Sequence, residues 1–141
     1  MNTLFKTLLV ATALLYGSLV VSSELESAAP AGAKVYIISP ANGDTVSSPV
    51  TVKFGLTGMG VAPAGFDKAG TGHHHLIING KTLPVMGQPM GADVMHFGGG
   101  QTQKSIELSP GTHTLQLIMG NYLHIPHNPL VVSEKIVIEV K

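Results

Sequence analysis

PVTVKFGL, residues 49–56, decides how the rest of the chain is read. Val50, Val52 and Phe54 alternate with Thr51 and Lys53, the period of two that buries one face of a strand and wets the other. Working outward, the same β-branched or alternating character recurs in KVYIIS (34–39), HHHLII (73–78), KTLPVM (81–86), QTQKSIEL (101–108), THTLQLIM (112–119) and LVVSEKIVIEV (130–140). PANGD (40–44) and SPG (109–111) supply turns, and long Gly-, Ala- or Pro-rich loops separate the remaining segments. Asn79-Gly80 carries the strongest two-residue hairpin signal and predicts that Leu76 faces Leu83 and His74 faces Val85. No convincing helical period follows residue 33. Seven short strands predict an all-β domain over residues 34–141, an immunoglobulin-like β-sandwich, with a small barrel as the competing architecture.

The ends and the bulk composition narrow the function. Lys6 precedes an apolar run from Leu8 to Val21, which predicts a secretory signal peptide over residues 1–23 and a linker over 24–33. The run is short for a membrane span, and Glu24 and Glu26 follow it where a basic stop signal would stand. An uncleaved N-terminal anchor is the competing reading. The expected location is periplasmic or secreted, with no membrane attachment after cleavage. Eight Lys, no Arg and eight acidic residues give no net charge, which argues against a nucleic-acid partner. The chain has no Cys, so disulfides, thiolate metal sites, thiol catalysis and covalent haem attachment are excluded. Neither glycine-rich loop joins a strand to a helix, and no nucleophile elbow or carboxylate pair is present; the expectation is a protein without catalytic activity.

Histidine placement carries the functional signal. If each strand crosses the sandwich once, the loops around residues 57–72, 87–100 and 120–129 lie at one end. His73, His74, His75, His96, His124 and His127 then share a pole, and only His113 falls at the other. Met59, Met86, Met90, Met95 and Met119 lie at or near the same pole. The pleat turns His74 toward the core and sends His73 and His75 to the opposite face, about 6.7 Å apart, within reach of one ion. His124 and His127 add a pair on a proline-stiffened loop, and His96 stands beside the GGG of residues 98–100.

These residues define a candidate metal site of His73, His75, His96, His124 and His127, with Met90 and Met95 as thioether donors. Imidazole with thioether favours copper, whereas zinc would use histidines alone; acidic residues are too few for calcium. Against this stands the reading in which the histidines cap strands and bond to backbone carbonyls. His74 is expected to be a satisfied core-edge residue and His113 a structural one. The alternative function is a noncatalytic envelope module that binds a glycan or another protein through the same loops.

GHHHLIING (72–80), HFGGGQT (96–102), LSPGTHTLQL (108–117) and HIPHNPLVVSEKI (124–136) together resemble a family of small exported bacterial proteins catalogued as a domain of unknown function. The resemblance covers nearly all of the chain after residue 33. It implies export and one small β domain, and it brings no activity with it.

Overall fold

The computed structural model describes residues 25–141; the expected signal peptide lies outside them. Nine strands form two sheets: β1 (Lys34–Ser39), β2 (Thr45–Val46), β3 (Val50–Thr57), β4 (Gly60–Val61), β5 (Thr71–Ile78), β6 (Met95–His96), β7 (Gln103–Ile106), β8 (Gly111–Gly120) and β9 (Ile136–Val140). One sheet has the order β1-β3-β7 and the other β2-β9-β8-β5-β4, with β6 also paired to β5. Orders β1-β3-β7 and β9-β8-β5 correspond to the A-B-E and G-F-C sheets of an immunoglobulin-like sandwich.

Alternation explains the two layers. Val50, Val52 and Phe54 of β3 are buried while Thr51 and Lys53 are exposed. They meet Val35, Leu76, Phe97, Ile106, Leu115, Leu117, Met119, Ile136, Ile138 and Val140 in one inter-sheet core. On the outer face of the larger sheet, Ile77, Ile118 and Val94 form a second apolar cluster, with Met90, Leu130 and Val132 packed against it. Loops therefore cover this outer face. That cover buries the residues of β5 on both sides.

The predicted hairpin and the strand over 81–86 do not form. A two-residue type I′ turn requires positive φ at both central residues, and only Asn79 has it, at 56°. Asn79 instead reaches across to β8, where its Oδ1 accepts from Thr114 N at 2.9 Å and its N–H donates to Thr114 O at 2.9 Å. Residues 81–94 form no strand, Pro84 and Pro89 offering no backbone donors, and β5 pairs on that edge with Met95–His96. The expected last strand, 130–140, narrows to β9. Ser133 interrupts it, its Oγ accepting Leu117 N at 2.9 Å and donating to Glu134 O at 2.7 Å.

Residues 25–33, the described part of the linker expected over 24–33, are bound along the loop after β8. Ala28 bridges Asn128, and the Asn121 amide donates to Leu25 O at 2.8 Å and to Ser27 Oγ at 3.1 Å.

Candidate metal centre

The antiparallel register of β5 with β8 sorts the three consecutive histidines. His74 stands opposite Met119 and Leu76 opposite Leu117, all facing the inter-sheet core. His73 stands opposite Gly120 and His75 opposite Ile118, on the outer face that also carries Ile77. His96 lies beside His75 in the β5–β6 ladder and so shares that face, whereas Met95 lies beside Leu76.

His124 arrives on a tight loop that Asn121 staples. The buried Asn121 side chain accepts from Leu123 N at 2.9 Å and from Ile125 N at 3.1 Å, and Asn121 N donates to Ile125 O at 2.9 Å. His124 itself sits in the left-handed region at φ 66°, tolerated by His more readily than by most residues. The turn aims its ring at the other three.

Four imidazoles from three segments converge. Ring centroids lie 4.7 Å apart for His73–His75, 4.9 Å for His73–His96, 5.1 Å for both His73–His124 and His75–His96, 6.0 Å for His75–His124 and 4.4 Å for His96–His124. An ion with four tetrahedral imidazoles at bond lengths of about 2.0–2.1 Å spaces their centroids about 5 Å apart. The His73 and His96 Nε2 atoms are 3.1 Å apart, close to the separation of two ligand nitrogens on such an ion. Donor atoms of His73, His96 and His124 all lie within 4.8 Å of one another. His75 flanks this triad as a fourth ring.

Burial and mutual repulsion disfavour the charged forms of His73, His75 and His96. Burial pushes His73 down to about 4, with further lowering from His96, His124, His74 and His127. Burial pushes His75 down to about 3, helped by His73, His96 and His124. His96, on the exposed side, is lowered by its limited burial and by His124. His73 and His75 are 0 % and 1 % exposed, and His73 Nδ1 and both nitrogens of His75 find no hydrogen-bond partner among the described residues. Buried polar atoms ordinarily have partners. Deprotonated imidazole nitrogens without competing hydrogen bonds are what a metal ion requires, and only the proton shared by the His73 and His96 Nε2 atoms would have to be displaced between that pair.

Of the other expected donors, Met90 lies at the cluster's edge and Met95 and His127 lie elsewhere. Met90 borders the cluster: its N–H donates to His124 O at 2.9 Å, and a Cβ placed on Gly120 would meet its methyl at 2.7 Å and His75 Cε1 at 2.6 Å. Met95 packs into the inter-sheet core, away from the rings. His127 lies buried behind them with both nitrogens toward carbonyls, Thr71 O at 3.1 Å and Met119 O at 3.4 Å. His113 is satisfied at the far end of β8 by Ser109 O at 2.8 Å and the Asn79 amide at 2.9 Å. The expectation for His74 is overturned. It is 0 % exposed against Phe54 and neither nitrogen has a hydrogen-bond partner among the described residues; the inner face of β5 is largely apolar, and the Gln101 backbone is the one polar group acting on the ring. Gly120 and Asn121 are the positioning residues that the sequence reading passed over; a Gly-Asn pair closing a strand was their signal.

Fold and site together define a small β-sandwich with a half-buried polyhistidine cluster on one sheet face. Within that class, the chain belongs to the DUF4399 family, a domain of unknown function, whose model matches residues 52–141. No curated protein and no solved structure matches it.

Proposed function

We propose that this is an exported metal-binding protein whose ion is copper, held by His73, His75, His96 and His124 for sequestration or delivery, with no chemistry performed on a substrate. One observation carries the reading: four imidazoles from three segments have ring centroids 4.4–6.0 Å apart, and buried nitrogens of His73 and His75 find no hydrogen-bond partner among the described residues. Such an arrangement leaves desolvated donors uncompensated, a cost of about 1–3 kcal/mol for each group that a bound ion would remove. Met90 beside His75 supports copper over zinc, since thioether sulfur is a soft donor. Export is supported by Lys6 and the apolar run to Val21.

Calorimetric titration of the mature domain with cuprous, cupric and zinc ions tests the reading. Stoichiometric binding by wild type and its loss in a His73→Ala/His75→Ala variant is the expected result. Equal, weak binding by both proteins would refute it.

A further inference from the structure

We infer that the cluster is selective for a monovalent soft ion, cuprous copper and its chemical twin silver(I), over any divalent ion. This rests on the metal reading above and sharpens it to a charge and a chemical class.

The first observation is the charge of the donor set. His73, His96 and His124 are the grouped donors, and the fourth ring, His75, is another histidine, so the set contains no anionic side chain. Among the described residues no carboxylate belongs to the grouped donors. Asp93, the acid nearest along the chain to His96, lines one cavity with Leu76, Val94 and Met95 and another with Met90 and Gly91, and it does not belong to the grouped donors. An ion held here keeps its full charge inside the protein. The desolvation cost grows as the square of that charge, so a divalent ion suffers about four times the penalty of a monovalent one. A divalent ion would need an anion recruited from solvent at the exposed His96 side.

The second observation is depth. The two β5 histidines are fully buried, so water cannot screen the ion from that side. The third is Met90. Its methyl and the His75 ring occupy the space that a side chain at Gly120 would fill. Its backbone is tied to the His124 carbonyl, which fixes the residue beside the rings. A polarisable thioether side chain bordering an imidazole cluster suits a cuprous ion and adds little for zinc.

The test uses the mature chain and competition titrations with cuprous, silver(I), zinc and cupric ions, the cuprous series anaerobic. Cuprous and silver(I) ions are expected to bind at least about 100-fold more tightly than zinc, given the charge penalty and the donor softness. Met90→Leu should weaken cuprous and silver(I) binding about tenfold and leave zinc unchanged. Met90→Glu, which introduces the missing negative charge, should narrow the gap by strengthening zinc and cupric binding; circular dichroism of each variant verifies the fold. Zinc or cupric binding as tight as cuprous binding, or a gap that Met90→Glu leaves unchanged, overturns this inference and leaves the metal reading standing. Failure of wild type to bind any of the four ions overturns both.

Discussion

Acidifying the metal-free domain should unfold it, and His74 allows the size of the effect to be worked out. Its ring is buried between the sheets, 5.1 Å from Phe54. Burial lowers it from 6.5 to about 4, against a smaller opposing pull from the Gln101 backbone. The unfolded chain therefore binds a proton near pH 6.5 that the folded chain refuses until about pH 4. Stability is fully present above pH 6.5 and falls as the pH drops through that window, levelling off below the folded value. The shift is worth roughly 3 kcal/mol at the acid end. His73 and His75 move in the same direction, to about 4 and about 3, although their mutual coupling prevents simple addition. Set against a total of about 5–15 kcal/mol for an ordinary domain, three such groups are enough to unfold it. Urea midpoints followed by circular dichroism from pH 7.5 to pH 4 measure the loss. His74→Leu, which puts an apolar side chain against Phe54, should stay within about 1 kcal/mol of wild type at pH 7.5 and visibly flatten the slope. A midpoint constant down to pH 4.5, or a slope unaltered in His74→Leu, would refute the reasoning.

Two glycines separate site effects from fold effects. Gly120→Ala places a methyl 2.6 Å from His75 Cε1 and 2.7 Å from the flexible end of Met90; about 1–2 kcal/mol of stability and most of the metal affinity should be lost, by chemical denaturation and competition titration. Gly72→Ala places its methyl 2.5 Å from Gly120 O, a backbone atom, and should cost about 3 kcal/mol or more in the same denaturation assay. Asn121→Ala strips two acceptor contacts from the His124 loop and two donor contacts to residues 25 and 27. A loss of about 2–4 kcal/mol in thermal or urea unfolding is expected.

Much of the sandwich was legible because its strands obey the period of two. Val50, Val52 and Phe54 of β3 are buried and Leu76 of β5 faces the core, as read. The same pleat placed His73 and His75 together on the outer face, so His96 and His124 could be expected near them from chain direction alone. What failed was Asn79-Gly80. Its hairpin signal is local, and the Asn79 side chain is spent on Thr114, 35 residues away. Losing that hairpin changed the neighbour of β5 to Met95–His96, and the ladder's alternation then sent Met95 inward and His96 outward. His127 faces Thr71 and Met119 carbonyls through long-range packing that no spacing in the loop reveals. The partnerless state of His74 was hidden for the same reason: a pleat assigns a face, and only the neighbouring strands determine what that face offers.

Anomalous diffraction from crystals of the copper-loaded domain asks the central question directly. The account predicts one strong peak about 2 Å from nitrogens of His73, His96 and His124, with His75 or Met90 as the next nearest donor. A peak bound elsewhere, or four histidine rings that keep their places with no ion between them at saturating copper, would contradict it.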